Sequence, residues 1–311
     1  MSKEIKSITG IKRIKKELNG ISAGVNFLLN IMFLACVFLC VIPIILVVAT
    51  SFTDEMEILL HGYNFWPRVF STRAYEYILD SGVTIWRAYG VSIFVTVVGT
   101  LLAMATICMY AYPLSRRDFR YKSQFAFIAY FTMIFGGGLV PWYMVYTHLV
   151  PIKSTVWILI VPYLMNAWNV LIMRTFFKTT IPDSILESAR IDGAGEFRTF
   201  FVIALPLCKA GLATIGLFCT LTYWNDWYLP LVFLNDPKLY NIQFLMYQTL
   251  MSIQFLSSGG NFSGAATALG SMPSEGARMA IAVISIGPIV FAYAFFQKYF
   301  IKGLTIGAVK G

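Results

Sequence analysis

Six long apolar runs, separated by polar segments, dominate this chain of 311 residues. Each run holds about 20 or more residues, the length that an α-helix needs to cross the ~30 Å hydrocarbon core of a membrane. Backbone polar groups in a membrane must find internal partners, so such runs must be helical. Hydrophobic residues make up 58% of the chain and charged residues 13%, whereas a soluble domain is nearer half apolar and a quarter charged. The sequence therefore predicts an all-α, polytopic membrane protein with six transmembrane helices.

Prolines and glycines interrupt two of the predicted spans. Pro43 should kink the first span, which is too long for the core of a signal peptide. The third span contains Gly136 to Gly138 and Pro141, which favour either a hinge or a close contact with another helix. Polar loops outside the cell are predicted at 52–84 and 235–276. The predicted spans are about 21–51, 85–112, 123–146, 155–177, 207–234 and 277–299.

The distribution of basic residues predicts the orientation. Of the 24 lysines and arginines, 18 lie in the first 20 residues, in the 115–122 loop, between Arg174 and Lys209, or from Lys298 to the C-terminus. Cytoplasmic loops carry such an excess, so both termini should be cytoplasmic. This pattern also accounts for the net charge of +9 without nucleic acid, because the charges form no single patch. The chain thus divides into a basic N-terminus (1–20), a six-span domain (21–300) and a cytoplasmic tail (301–311).

The stretch 181–206, IPDSILESARIDGAGEFRTFFVIALP, is the most polar internal part of the chain. Thr180 and Asp183 suggest a helix N-cap box, with Pro182 inside the first turn. Gly193 and Gly195 should end this helix, and a second one should run from about Glu196 to the next proline. A helix of about ten residues rises only ~15 Å, too little to cross a membrane. The stretch therefore predicts a helix–turn–helix at the cytoplasmic surface.

The same stretch resembles a motif of the permease subunits of ABC importers. That motif reads Glu-Ala-Ala, three residues, Gly, nine residues, Ile-x-Leu-Pro. The chain carries it, with a serine for one alanine, at Glu187, Ser188, Ala189, Gly193, Ile203, Leu205 and Pro206. In that family the loop is the coupling helix, which seats in a cleft of a cytoplasmic ATPase. The resemblance implies that Glu187, Ser188, Ala189, Asp192 and Gly193 couple this chain to such an ATPase.

The C-terminal stretch FFQKYFIKGLTIGAVKG resembles the end of permeases from the carbohydrate-uptake branch of this family. In some relatives this tail reaches the interface between the two ATPase subunits, which would bring Gly307 and Lys310 to the coupling machinery. The alternative is a basic tail that rests on anionic lipids. The segment from Pro273 to Ala280 resembles a subgroup associated with complex oligosaccharides, which implies a large saccharide as substrate.

Polar and aromatic residues inside the fourth and fifth spans are candidates for the substrate pathway. An ionisable group such as Asp226 is costly in a membrane and marks a functional site by default. Aromatic faces and hydrogen-bonding side chains also suit saccharides. A structural polar pair that locks two helices is the equally open alternative. The candidates are Trp224, Asn225, Asp226 and Trp227, with Tyr163, Asn166 and Asn169 as weaker ones.

The sequence predicts neither catalysis nor a metal site. The five cysteines form no C-x-x-C pair and favour buried, inert thiols, and the two histidines, His61 and His148, are far apart. No G-x-x-x-x-G-K-[S/T] motif is present, so ATP and Mg²⁺ are expected on a partner and no cofactor on this chain. The alternatives are an ABC permease for another solute class, or a membrane-embedded enzyme of lipid-linked sugar metabolism.

The resemblance covers the chain from about residue 25 to the end, and it implies an importer of oligosaccharides in the cytoplasmic membrane of a bacterial cell. A single permease cannot enclose a pathway. The expected partners are a second permease in a heterodimer, two cytoplasmic ATPase subunits, an extracellular solute-binding protein, the saccharide itself and membrane lipids. A secondary transporter is disfavoured, since inverted repeats are not evident.

Overall fold

The computed structural model describes residues 22–80, 82–257 and 274–308. These residues form helices joined by turns, with a single antiparallel bridge between Thr53 and Phe70. The basic N-terminus (1–20), residues 258–273 of the second predicted outer loop and residues 309–311 of the tail, including Lys310, lie outside the described ranges. The all-α prediction is confirmed for the part that is described.

The α-helices range from three-residue pieces to rods of more than 30 residues. In chain order they are α1 (Ala23–Ser51), α2 (Glu55–His61), α3 (Arg73–Asp80), α4 (Gly82–Ser115), α5 (Lys122–Ile134), α6 (Leu139–Met144), α7 (Ala167–Thr180), α8 (Asp183–Ile191), α9 (Glu196–Arg198), α10 (Leu205–Leu207), α11 (Lys209–Trp224), α12 (Tyr228–Phe233), α13 (Ile242–Ser257) and α14 (Ser274–Ala308). Short 3₁₀-helices at Val156–Leu159 and Val161–Tyr163 precede α7, and a π-helix at Thr199–Ala204 joins α9 to α10.

Within the described residues, two unbroken helices have the length and composition to cross a membrane, at Gly24–Ser51 and Thr84–Ser115. Three sharply bent pairs raise this number to as many as five when each pair is taken as one span. They are 122–134 with 139–149, bent by 114°, 156–163 with 167–180, bent by 52°, and 196–207 with 209–224, bent by 84°. α14, of 35 residues, is also longer than a membrane is thick. The number six stays a prediction.

The structure adds helices and a break that the sequence did not predict. The predicted outer segment 52–84 contains α2 and α3, and the predicted loop 235–276 contains the 16-residue α13. The fifth span does not continue to Leu234, because α11 ends at Trp224 and α12 starts at Tyr228. The break at Gly136 to Gly138 agrees with the hinge interpretation. No described atom lies within 4 Å of a Cβ placed at Gly136 or Gly138, so the glycines are not in close contact with another described helix of this chain.

The core lies where α4 packs against α7 and α11. Gly99 of α4 allows the closest approach, since a Cβ at that position would lie 2.7 Å from the ring of Tyr223 on α11. Gly211 on α11 does the same for Phe176 on α7, at 2.8 Å. α14 packs on α11, and α1 packs along α14 at the edge of the molecule. Three helices thus form a rigid centre that supports the two candidate sites.

Candidate functional site

The predicted helix–turn–helix consists of α8, a turn at Asp192 to Gly195, and a second helical arm that begins with α9. At the end of α8, Ala194 N donates to Ala189 O (2.9 Å) and Gly193 N donates to Arg190 O (3.1 Å). Gly193 has φ +75°, as the Schellman ending of a helix requires. The predicted N-cap box is wrong. Thr180 is the last residue of α7, and Pro182 is the N-cap of α8, without a side-chain cap bond.

The two faces of α8 have different environments. Ala189 is buried and Leu186 packs against the core, so this face rests on the protein. Glu187 and Ser188 lie on the outward face and are exposed. Glu187 makes no hydrogen bond or ion pair with another described residue, and Ile191 is 86% exposed. The motif residues of α8 therefore lie on opposite faces of the helix. Those on the exposed face are not covered by other described parts of this chain.

Ion pairs join both arms of the helix–turn–helix to the short loop that follows α4. Arg117 Nε lies 2.9 Å from Asp183 Oδ2 at the start of α8. Asp118 receives Arg116 in a bidentate contact, with Nε–Oδ1 at 3.0 Å and Nη2–Oδ2 at 2.9 Å, and it also pairs with Arg190. Arg116 in turn lies 3.5 Å from Glu196 Oε1 on α9. The bond to Arg116 first, and that to Arg190 as well, hold the pKa of Asp118 well below its usual range.

The polar network borders a cavity of about 520 Å³. Met109 and Pro113 of α4 line it from one side, and Phe197 and Phe200 line it from the other. Phe197 itself is 76% exposed. The second arm of the helix–turn–helix therefore packs on α4 through Phe200, which is buried with its ring centroid 5.1 Å from that of Tyr112, while Phe197 is left exposed at the cavity.

The second candidate site is the break between α11 and α12. Asp226 is 6% exposed, and its Oδ1 accepts from Tyr163 OH (3.1 Å), Tyr228 N (3.1 Å) and Leu229 N (3.2 Å). Its carbonyl oxygen accepts from Asn241 Nδ2 at 2.5 Å. Asp226 Oδ2 is buried and has no hydrogen-bond partner among the described residues. The carboxylate thus caps α12 and links it to Tyr163 of the predicted fourth span. This agrees with the alternative of a structural polar pair that locks two helices. Oδ2 takes no part in these bonds.

The neighbours of Asp226 divide into buried and exposed groups. Trp224 is buried and donates from Nε1 to Ser285 O on α14 at 3.0 Å. Asn225 and Trp227 are exposed. The Trp227 ring stacks on Tyr247 of α13, with 4.6 Å between centroids and an angle of 17°. Trp227 and Tyr247 therefore form an aromatic pair, and the exposed Asn225, two residues before Trp227, donates from Nδ2 to Leu221 O at 3.0 Å.

The three weaker candidates of the fourth span lie together. Tyr163, Asn166 and Asn169 line a small cavity of about 50 Å³ that also touches Tyr223 and Cys219. Asn166 caps α7 by accepting from Asn169 N at 3.2 Å. Asn169 is buried, and its Nδ2 donates to Cys219 Sγ at 3.9 Å. This cavity has room for only a few water molecules, so a saccharide needs a different conformation to reach it.

Sequence reasoning missed residues at both sites. Arg116 and Asp118 were read only as part of a basic loop, although an aspartate inside a run of arginines is a signal for an ion pair. Tyr247 was missed because α13 was predicted to be a loop. Gly307 lies in α14, and Lys310 is outside the described residues. No group of three or more histidines, cysteines or acidic residues that could hold a metal occurs in the described ranges.

Comparisons with known proteins agree with this arrangement. Residues 119–306 match the family described as the binding-protein-dependent transport system inner membrane component. The polygalacturonan/rhamnogalacturonan transport system permease protein YtcP of Bacillus subtilis (strain 168) is 39% identical over 274 residues, which cover 88% of this chain and 93% of that protein. The arabinooligosaccharides transport system permease protein AraQ of Halalkalibacterium halodurans is 27% identical and covers 92% of this chain and 97% of its own.

A solved structure is also similar. The crystal structure of a bacterial ABC transporter involved in the import of the acidic polysaccharide alginate contains a chain with 29% sequence identity and a TM-score of 0.76. The match covers 90% of this chain and 98% of that one. Such subunits act in transport and are not enzymes. They have no cofactor of their own and work with a partner permease, an ATPase that uses ATP and Mg²⁺, and a solute-binding protein. The chain therefore belongs to the binding-protein-dependent transport family and is a membrane-embedded permease of the bacterial ABC importers.

Proposed function

We propose that this permease moves oligosaccharides into the cytoplasm by alternating access. It does so in a heterodimer with a second permease, on top of two cytoplasmic ATPase subunits, with both termini in the cytoplasm. ATP binding closes the ATPase pair, which displaces α8 and rotates the membrane helices toward an outward-open state. Hydrolysis then allows the saccharide to be released inside. An extracellular solute-binding protein delivers the saccharide to the outer loops.

The observation that carries this proposal is the outward face of α8. Glu187, Ser188 and Ile191 are exposed there, and Glu187 has no partner among the described residues. Asp192 and Gly193 continue this surface into the turn, and we assign Glu187, Ser188, Asp192 and Gly193 to the contact with the ATPase. Ala189 is buried against this chain, so its part in coupling is to seat α8 on the core. The C-terminal residues Gly307 and Lys310 are proposed as a second contact.

Asn225, Trp227 and Tyr247 support the saccharide as substrate. The stacked aromatic rings and the exposed amide suit the apolar face and the hydroxyl groups of a sugar. Trp224, Asp226 and the polar residues Tyr163, Asn166 and Asn169 would support this surface from behind. One similar protein is named for polygalacturonan and rhamnogalacturonan, and the solved structure for the acidic polysaccharide alginate. Oligogalacturonides are therefore the first substrates to test, with neutral arabinooligosaccharides as the comparison.

Co-purification tests the coupling assignment. The detergent-solubilised chain, expressed with the products of its neighbouring genes, should retain a second permease and an ATPase. Glu187→Lys should remove the ATPase and abolish uptake while the chain stays in the membrane, because the substitution reverses a charge at an exposed docking surface. The measurement is the ATPase recovered per permease and the uptake of labelled oligogalacturonide.

Two matched variants define the result. Glu187→Gln separates loss of charge from reversal of charge, and Lys238→Glu reverses an exposed charge in the predicted outer loop. Lys238→Glu should leave ATPase recovery unchanged. Normal uptake and ATPase recovery by Glu187→Lys would refute the assignment of α8 as the coupling helix. A chain that purifies alone and modifies a lipid-linked sugar by itself would favour the enzyme alternative.

A further inference from the structure

Both ends of α8 are attached by ion pairs to the segment that follows α4. Arg117 pairs with Asp183, the first residue of α8, and Asp118 pairs with Arg190 near its last residue. The helix has nine residues and is about 13 Å long. One attachment would let such a short helix pivot, whereas attachments at opposite ends fix the direction of its axis.

The anchor on the α4 side is itself rigid. Arg116 lies next to the last residue of α4, and its side chain is only 9% exposed. It donates to Tyr112 OH at 3.2 Å and holds both carboxylate oxygens of Asp118. Arg116 at the end of α4 therefore fixes the position of Asp118, independently of the pair between Asp118 and Arg190. Because Arg116 also approaches Glu196, the same anchor reaches the second arm of the helix–turn–helix.

Apolar packing does not provide the same connection. Phe200 of the second arm is buried against Tyr112 of α4, with 5.1 Å between ring centroids. Phe197, by contrast, is exposed beside the cavity of about 520 Å³, and α8 itself has a narrow apolar contact with the core through Leu186 and Ala189. Voids remove the contacts that would otherwise fix the position of a neighbouring element. The ionic contacts are thus the link between α8 itself and the cytoplasmic end of α4, whereas the second arm is held by the packing of Phe200 on Tyr112.

We propose that Arg116, Arg117 and Asp118 form a two-point ionic tether with Asp183 and Arg190, and that this tether makes α8 and α4 move as one body. The five residues are positioning residues, and they act on transport by passing displacement of α8 to a central helix of the core. The inference rests on the proposed function, since the displacement is attributed to the ATPase. A single exposed ion pair adds little to stability, so the tether matters for transmission more than for folding.

Distances between spin labels on the two helices test the tether directly. Ser184→Cys on the outer face of α8 and Met109→Cys on α4 are exposed sites outside the tether. The exposed Cys36 and Cys40 are replaced by serine, while the other native cysteines of the chain are buried. The distance distribution is recorded by pulsed electron paramagnetic resonance on the complex purified with its ATPase, without nucleotide and with ATP plus vanadate.

In the labelled parent we expect a narrow distribution that does not change with ATP and vanadate, because α8 and α4 move together. The double variant Asp118→Asn with Arg190→Gln should broaden the distribution and make it respond to nucleotide, while ATPase recovery is retained. The single variant Asp118→Glu, which keeps the charge, should give a distance distribution nearly as narrow as that of the labelled parent. Arg120→Gln is the matched control, since Arg120 is an exposed arginine of the same loop without an ion pair to another described residue.

The outcomes separate the tether from the proposed function. A distance that shifts with nucleotide in the labelled parent, or a double variant as narrow as the parent, would refute the tether. Loss of the ATPase from the double variant would also refute it, because the residues would then act in docking. Failure of the parent to retain an ATPase would instead contradict the proposed function. The width of the nucleotide-free distribution would still distinguish a tethered from an untethered α8.

Discussion

Gly99 lies where α4 crosses α11, and a methyl group has no room there. A Cβ would be 2.7 to 2.9 Å from three atoms of the Tyr223 ring. That ring cannot easily withdraw, because Tyr223 is buried and its hydroxyl donates to Ile160 O at 3.0 Å. Gly99→Ala should therefore lower the free energy of unfolding by about 1–3 kcal/mol, the usual cost of overpacking, despite the better helix propensity of alanine.

The matched control for Gly99→Ala is Gly90→Ala on the same helix, where nothing lies within 4 Å of an added Cβ. This variant should be as stable as the parent or slightly more so. The measurement is the fraction of monodisperse protein that remains in detergent after heating, followed as a function of temperature. Equal midpoints for the two variants would show that Tyr223 moves aside without cost.

Asp226 was correctly selected from the sequence as a special residue, yet the sequence could not show how it is used. The role of Asp226 depends on Tyr163, which is 63 positions away in the sequence. It also depends on a helix break that the local sequence pattern did not predict. A hydrophobic window treats 207–234 as one run. The carboxylate instead caps the second of two helices, and the geometry separates an oxygen with three bonds from an oxygen with none among the described residues.

Substitutions at Asp226 separate capping from transport. Asp226→Ala removes the acceptor of two backbone N–H groups and of Tyr163 OH, so we expect a loss of about 1–3 kcal/mol in unfolding free energy. Asp226→Asn keeps one oxygen for these bonds and should unfold near the parent temperature, with the ATPase still bound. Uptake is measured on the same preparations. A stable Asp226→Asn with normal uptake kinetics would assign the residue to structure alone, and a stable variant with altered uptake would implicate Oδ2.

At the scale of elements, sequence reasoning placed most helices and misjudged their continuity. Gly136 to Gly138 announced one break, because glycine and a nearby proline weaken a helix. In the sequence, the break before Ala167 is indicated only by Pro162 and by the asparagine that caps α7. An asparagine can be identified as an N-cap only when the start of the helix is already known. The link between Asp118 and Arg190 spans 72 positions, so it depends on how the helices pack.

The turn of the helix–turn–helix offers a prediction at this scale. Gly193 has φ +75°, a backbone conformation that costs a residue with a Cβ about 1–2 kcal/mol. Gly193→Ala should therefore loosen the end of α8 and reduce ATPase recovery and uptake. Gly195→Ala is the control, since Gly195 has φ −68° and open space around an added Cβ. Equal uptake by the two variants would mean that the turn tolerates distortion without an effect on coupling.

The molecule as a whole is asymmetric. Its centre is the packed group of α4, α7 and α11, whereas α1 contacts mainly α14. None of the most apolar part of α1 is buried within the chain. Helix association in membranes requires close packing, and an exposed helix must face either lipid or another subunit. Since a permease of this kind works with a second permease, α1 is the first element to examine for contact with it.

Native cysteines can be used to test this contact, so no new cysteine has to be introduced. Cys36 and Cys40 are exposed on α1, and their spacing of four places them on one face, whereas Cys108, Cys208 and Cys219 are buried. Because this face of the span is turned to apolar detergent, a small membrane-permeant maleimide should label both thiols slowly, to two labels in the native chain alone and five after unfolding in denaturing detergent, as counted by mass spectrometry. In the complex with the second permease we expect both labelling rates to fall, because the partner covers this face. The Cys36→Ser, Cys40→Ser chain should take up no label while folded, and unchanged rates in the complex would place this face of α1 against lipid.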